Sequence, residues 1–120
     1  MNDRELLELA ARAAGIKARW FKVNQWHRLD GCRLHTGQKD VFGTHHRKPW
    51  NPRDDDGDAL RLAVKLRFDI SVEREIQVSW WQGESLETFT WPLGDDPYAA
   101  ARYAIVRAAA EIGKSMGGGE

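Results

Sequence analysis

The pattern of apolar positions predicts three helices, each with a recognisable start. In the first, Asn2 can cap the helix with Glu5 three residues later, and Gly15 is a natural residue to end it. Between them, apolar residues recur at the spacing of one helical face. These residues are Leu6, Leu7, Ala10, Ala11 and Ala14.

The second predicted helix begins in the aspartate run after Trp50, because carboxylates in a first turn face the positive end of the helix dipole. Its predicted apolar side is formed by Leu60, Val64 and Phe68, with Leu62, Ala63 and Leu66 beside them. The third helix starts at Asp95 or Asp96, and Pro97 suits its first turn. Its predicted buried stripe comprises Tyr98, Ala101, Ile105, Ala108, Ala109 and Ile112.

Between the first two helices the pattern changes. The segment IKARWFKVNQW, residues 16–26, carries Trp20, Phe21 and Val23 and predicts a strand with both faces partly covered. Residues 27–49 show no periodicity, and a run of that length is unusual in a compact domain. We expect this run to hold a short hairpin or a functional loop.

A period of two follows the second helix. Five apolar residues share one parity, which predicts one long strand or two short strands joined near residues 73–75. They are Ile70, Val72, Ile76, Val78 and Trp80. QGES is a turn, and LETFTW returns with Phe89 and Trp91 on one face, as in an antiparallel hairpin.

These elements predict an α+β fold with a small, antiparallel-rich sheet sandwiched between helices in α-β-α layers. The predicted order is α-β-loop-α-β-β-α. A chain of 120 residues has the usual length of one domain, so residues 1–113 are predicted to form it and residues 114–120 a flexible tail. Charges threaded through the first apolar stretch exclude a signal peptide, and the sequence contains no apolar run long enough for a membrane span.

Composition narrows the functional classes. Eighteen basic and eighteen acidic residues give no net charge, which argues against strong non-specific binding to nucleic acid. The distribution is uneven, however, because residues 15–50 hold eight Lys/Arg, two acids and all four histidines. A single cysteine, Cys32, excludes an internal disulfide and suits a reducing cytoplasm. We therefore expect a cytoplasmic location.

Candidate metal and thiol chemistry is weak in this sequence. Asp54, Asp56 and Asp58 match the start of a calcium loop, but Ala59 and Lys65 stand where that loop needs Gly and Glu. The same aspartates are expected as helix-capping residues. Cys32 and three of the histidines could form a zinc site, or Cys32 could be a thiol nucleophile with one histidine as its base. No second pair of Cys or His ligands at a suitable spacing supports the zinc hypothesis. The histidines concerned are His35, His45 and His46.

Six tryptophans are the more informative signal. Trp80 and Trp81 are consecutive on a predicted strand, so their side chains point to opposite faces. We expect helices to cover both faces; the alternative is that one of the two indoles is presented to a ligand. Trp26 and Trp50 flank the basic segment. Exposed Trp and Arg are typical anchors of protein interfaces and also stack on nucleobases. The alternative for Trp50 is packing at the start of the second helix.

Two segments carry a family resemblance. WNPRDDDGDALRLAVKL, within residues 50–70, and DDPYAAARYAIVRAAAEIG, residues 95–113, resemble small phage proteins of the ABA-sandwich and NinX-like groups. Arg53 departs from that pattern, where a small or apolar residue is expected. The resemblance implies helices on both sides of a sheet and carries no established catalytic residues.

The resemblance and the residues together favour a non-enzymatic phage accessory protein that binds a host protein and inhibits a bacterial defence complex such as CRISPR–Cas. One alternative is a protein that sequesters a nucleotide signal, with Trp stacking and Arg, Lys and His binding phosphate. A zinc or thiol enzyme built on Cys32 is the second alternative. We expect no cofactor. The predicted binding residues are Trp26, Arg28, Arg33, His45, His46, Arg47, Lys48 and Trp50.

Overall fold

The computed structural model describes residues 2–117 and has the predicted α+β class. Across this range lie three α-helices and two three-stranded antiparallel sheets, ordered β1-β2-β3 and β4-β5-β6. The elements are α1 (Asp3–Ala14), β1 (Arg19–Leu29), β2 (Cys32–Thr44), a 3-10 turn (His45–Arg47), β3 (Lys48–Pro49), α2 (Asp56–Lys65), β4 (Asp69–Val72), β5 (Glu75–Gln82), β6 (Ser85–Pro92) and α3 (Pro97–Met116).

The described contacts group into two compact units. The helical unit falls within Met1–Lys17 and Asn51–Glu120, and the hairpin unit is Ala18–Trp50. The helical unit therefore contains all three helices and the sheet β4-β5-β6, whereas the hairpin unit contains β1, β2 and β3. The domain boundary at residue 113 stays a prediction.

Helix α1 has the predicted ends and the predicted buried face. The Asn2 side chain accepts a hydrogen bond from the Glu5 backbone N–H, and Gly15 ends the helix in the left-handed conformation. All five predicted apolar positions are buried. The α1 backbone approaches α3 closely at Gly113, where an added Cβ would collide with the carbonyl oxygen of Leu9.

Helix α2 starts where the aspartate run predicts, but its buried face differs from the prediction. Asp55 caps the helix by accepting a hydrogen bond from the Asp58 backbone N–H. Leu60 and Val64, predicted to be apolar core positions, are exposed. The buried residues are Ala59, Leu62 and Ala63. The error arises because the aliphatic residues nearly encircle this short helix, so their spacing does not single out one face.

In the second sheet, the segment with alternating apolar residues forms two strands, β4 and β5, as in the second of the two predicted alternatives. Gly83 lies in the predicted turn between β5 and β6. Ile76, Val78 and Trp80 are buried on one face. Trp81, on the other face, is 69% exposed. The prediction that helices cover both sides is therefore wrong for the described residues: this sheet has one buried face and one open face.

Helix α3 begins at Pro97, with Asp96 as its cap, and ends at Met116. Residues 114–116, which the sequence assigns to the flexible tail, continue this helix, and the last three residues of that tail, 118–120, lie outside the described residues. Tyr98, a predicted buried position, is 73% exposed, while Ile105 and the alanines that follow are buried.

No helix in residues 2–117 is both long and apolar enough to cross a membrane.

Candidate binding face on the β1–β2 hairpin

A tight turn converts the expected loop into a long hairpin. Asp30 and Gly31 both have positive φ angles, 50° and 78°, between β1 and β2. A two-residue turn of this kind matches the twist of the flanking strands and favours Asp-Gly. It sets the pairing of Leu29 with Cys32 and of Arg28 with Arg33. Most of the segment predicted as loop is therefore strand β2.

A bulge keeps the polar side chains of both strands on the same face. Gln25 pairs with Gly37 and Trp26 with His35, so β2 carries one extra residue, Thr36, at this point. Gly37 has a φ of 120°, a conformation that residues with a Cβ rarely adopt. The extra residue returns His35 to the face that Gln38 occupies.

We name this surface the aromatic-basic face. Alternation along the strands and the contacts described below place eight side chains on it. They are Lys22, Asn24, Trp26 and Arg28 on β1 and Arg33, His35, Gln38 and Asp40 on β2.

Trp26 lies at the centre of the aromatic-basic face. The guanidinium carbon of Arg33 stands 4.6 Å from the centre of the Trp26 ring, and the His35 ring centre is 5.0 Å away at an interplanar angle of 60°. Trp26 is nevertheless 50% exposed. Its indole is therefore oriented by its neighbours while half of its surface stays available to a partner.

Arg28 and Arg33 form an uncommon pair beside this ring. They are directly opposite each other in the ladder, and both are exposed. Like charges at such positions destabilise a hairpin because the Cβ atoms of the two residues are only about 5 Å apart. A bound anion would relieve that repulsion.

Polar side chains continue the face towards the other end of the hairpin. Asn24 Oδ1 accepts a hydrogen bond of 2.8 Å from Gln38 Nε2 and lies 3.2 Å from His35 Nε2, which donates when that nitrogen carries the proton. Lys22 Nζ donates to Asp40 Oδ1 at 2.9 Å. These contacts fix the amide and imidazole groups in an outward-facing row.

The opposite face of the hairpin is different in character. Val23, Leu29 and Leu34 lie on it and are 36–52% exposed, together with Cys32 and Lys39. Cys32 and His35 therefore point to opposite sides of β2, so they are not placed for zinc binding or thiol activation as a pair. Residues 2–117 contain no group of three or more His, Cys, Asp or Glu side chains arranged to hold a metal.

The remaining predicted site residues lie far from Trp26. The 13-residue strand β2 separates Arg33 from His45, a span of roughly 40 Å at about 3.3 Å per residue. The eight residues predicted as one site therefore divide into two groups. The distal group is Trp26, Arg28 and Arg33, and the second group is His45, His46, Arg47, Lys48 and Trp50.

The second group forms the base of the hairpin unit. His45 and His46 have ring centres 3.9 Å apart, and Arg47 stands 5.2 Å from the ring centre of Phe21. These residues and Lys48 are exposed, but Trp50 is buried, and its backbone N–H donates to Phe42. We therefore leave Trp50 out of the candidate site.

The zero net charge of the chain hides a separation of charge. The hairpin unit holds seven Lys/Arg residues and two aspartates, and the rest of the sequence holds eleven basic and sixteen acidic residues. The hairpin unit thus carries a formal net charge of +5 with its histidines neutral. Of its two acids, Asp40 accepts from Lys22 and Asp30 lies in the turn.

The helical unit has an aromatic cluster of its own, in which the ring centres of Trp91 and Tyr103 are 4.5 Å apart. Two arginines stack on it, with Arg53 over Tyr103 at 4.8 Å and Arg107 over Phe89 at 5.4 Å. A hydrogen bond to Glu111 raises the pKa of the Arg107 guanidinium above its ordinary value, so this arginine stays charged. Both arginines have an acidic partner, because Arg107 pairs with Glu111 and Arg53 lies 3.7 Å from Asp3. We therefore interpret this cluster as part of the packing of the helical unit and not as a binding site.

Sequence reasoning missed four residues of the aromatic-basic face as binding residues: Lys22, Asn24, His35 and Gln38. The Asp-Gly pair at residues 30–31 is the feature of the sequence that predicts a hairpin turn here and, with it, the positions of these side chains. A two-residue turn at that position fixes the pairing outward from Leu29 and Cys32, and alternation then assigns each side chain to a face.

Comparison of the chain with protein-family models, with curated proteins and with solved structures gives no match.

Proposed function

We propose that this chain is a non-enzymatic accessory protein of the phage type, which acts by binding a host target through the aromatic-basic face. The observation that carries the proposal is Trp26, which is half exposed and in contact with Arg33 and His35 of the neighbouring strand. Tryptophan and arginine supply much of the binding energy in known interfaces. Because neighbours already orient the Trp26 ring, little conformational entropy is lost when a partner covers it.

The target is expected to present negative charge, since the hairpin unit is strongly basic. The phage resemblance suggests a host defence complex in the bacterial cytoplasm as the place to look for it. The proposal includes no catalytic step and no cofactor. The side chains on the face stack, donate hydrogen bonds and carry positive charge.

Capture from a lysate of the host bacterium tests this proposal. The immobilised protein is compared with Trp26→Ala and Arg33→Ala, and with Trp81→Ala as a control that removes a more exposed tryptophan from the helical unit. Components retained by the unchanged protein and by the control, but lost with both hairpin variants, support the proposal. Identical capture by all four proteins contradicts it.

One observation favours a second candidate, a protein that sequesters a nucleotide signal. Trp26 is half exposed and the Arg33 guanidinium carbon lies 4.6 Å from its ring centre, so an aromatic group that can stack on a base and a cation that can bind phosphate lie side by side. A ligand at one hundred times its Kd would stabilise the fold by about 2.7 kcal/mol. Thermal denaturation with a millimolar nucleotide panel measures this, and unchanged melting temperatures for every nucleotide would remove the candidate.

A further inference from the structure

We infer that the partner of the aromatic-basic face is single-stranded nucleic acid. The inference rests on the proposed function, because it names the chemical class of the partner for the same face. Three features of the hairpin carry it: its uncompensated arginines, its exposed stacking surface and its row of amide side chains.

An anion that extends along the hairpin would complement the two arginines. Arg28 and Arg33 face each other, and the acidic side chain on the same face, Asp40, already accepts from Lys22. Successive phosphates of a nucleic-acid strand can neutralise several cations at once, and each contact releases condensed counterions. Arginine also suits this task because its planar fork can bind phosphate with two hydrogen bonds.

The aromatic groups select for a base. Trp26 keeps half of its surface exposed, and the His35 ring lies beside it. Stacking on such rings tolerates every base, because every base has a π face. Asn24 and Gln38 place amide groups in the same row, where donors and acceptors can reach base edges.

These features favour a single strand over a duplex and over an acidic protein. In a duplex the base faces are already stacked on one another, so Trp26 would have no π surface to cover without unstacking it. An acidic protein surface could also neutralise Arg28 and Arg33, but a single strand offers both kinds of contact in regular alternation, with a phosphate and a stacking base in every nucleotide.

The inference agrees with the expectation that non-specific binding is not strong. If Arg28 and Arg33 each contact one phosphate, the slope of log affinity against log salt for a single strand is about −1.4. A rise from 50 to 200 mM salt then weakens binding about seven-fold. The affinity comes from a few cations and one main stacking position, so it is modest at physiological salt.

Fluorescence anisotropy with a labelled 20-nucleotide oligothymidine tests the inference on the full chain. We expect saturable binding at 50 mM salt that Trp26→Ala weakens at least five-fold, the effect of losing one stacked base. Arg28→Ala and Arg33→Ala should each weaken binding and reduce the salt slope by about 0.7. Two controls should change affinity less than two-fold: Trp81→Ala in the helical unit and Lys39→Ala on the opposite face of the hairpin.

Several outcomes would overturn the inference. They are no binding of the oligonucleotide at 50 mM salt, equal losses with Trp81→Ala and Trp26→Ala, binding to a duplex of the same length as tightly as to the single strand, or equally effective competition by polyglutamate. If the lysate experiment succeeds while the oligonucleotide fails, the face binds a protein and only this inference is wrong. If Trp26→Ala and Arg33→Ala change neither experiment, the proposed function is wrong as well.

Discussion

Two consecutive tryptophans show how a single position decides what a large aromatic residue does. On β5, Trp80 is buried to 6% exposure with its ring 5.8 Å from Phe68, whereas Trp81 is 69% exposed on the other face. The two side chains are identical, but as consecutive residues of one strand they point to opposite faces of the sheet. Exposure therefore has to be read from the side of the strand on which a tryptophan lies. On the hairpin, the same reasoning makes Trp26 available to a partner.

Replacing these two tryptophans should have very different effects on stability. Trp80→Ala removes a core ring and leaves a cavity, so we expect the free energy of unfolding to fall by about 3–5 kcal/mol. Trp81→Ala should change it by less than about 0.5 kcal/mol, as is usual for exposed positions. Urea denaturation followed by circular dichroism measures both, and Trp80→Phe gives a smaller loss if the alanine variant does not fold. Equal losses for the two alanine variants would contradict the assigned faces.

At the scale of elements, the helical unit depends on the close approach of α1 and α3. Gly113 makes this approach feasible because its missing Cβ leaves room for the Leu9 carbonyl group. We expect Gly113→Ala to destabilise the protein by roughly 1–3 kcal/mol, since backbone atoms cannot move aside as a flexible side chain can.

A second helical glycine supplies the control for Gly113. At Gly57 in α2, an added Cβ would meet only the ends of the Arg61 and Asp55 side chains, at 3.2 Å. Gly57→Ala should therefore change the free energy of unfolding by less than about 0.5 kcal/mol, with helix propensity acting in its favour. Thermal denaturation compares the two, and a neutral Gly113→Ala would mean that the two helices do not approach as closely as described.

The two hairpins should respond independently to changes in their turns. Gly31 and Gly83 both have positive φ angles, 78° and 65°, where alanine costs roughly 1–2 kcal/mol. Gly31→Ala should speed hydrogen exchange of the amides near the β1–β2 turn by about five-fold or more, leaving β5 and β6 unchanged. Gly83→Ala should do the reverse. Exchange measured by mass spectrometry tests this, and parallel changes in both hairpins would show that the two units open together.

The elements differ in how well the sequence predicts them, for a physical reason. Helix α1 and strand β5 each bury one face, so their apolar residues repeat at 3.6 or 2 positions and reveal the element. Strand β2 exposes both faces along most of its length, so burial selects no apolar period there, and only the Asp-Gly turn reveals the hairpin. The separation of the predicted site residues into two groups follows from the same missed strand.

At the scale of the whole molecule, charge is divided between the two units and not spread evenly. The zero net charge of the whole chain predicts little attraction for anions, but the hairpin unit alone carries a formal net charge of +5. Attraction over a Debye length of about 8–10 Å depends on local charge, so the hairpin can bind a polyanion while the chain as a whole is neutral.

The most direct test of Trp26 as the contact residue is a measurement on its own side chain. The six tryptophans of the chain each give an indole N–H signal in proton–nitrogen NMR spectra, and Trp26→Ala and Trp81→Ala identify the signals of these two residues. On addition of the 20-nucleotide oligothymidine at 50 mM salt, we predict that the Trp26 indole signal shifts or broadens while the Trp81 signal stays in place. A Trp26 signal that does not move at saturating oligonucleotide, or a shift confined to Trp81, would contradict it.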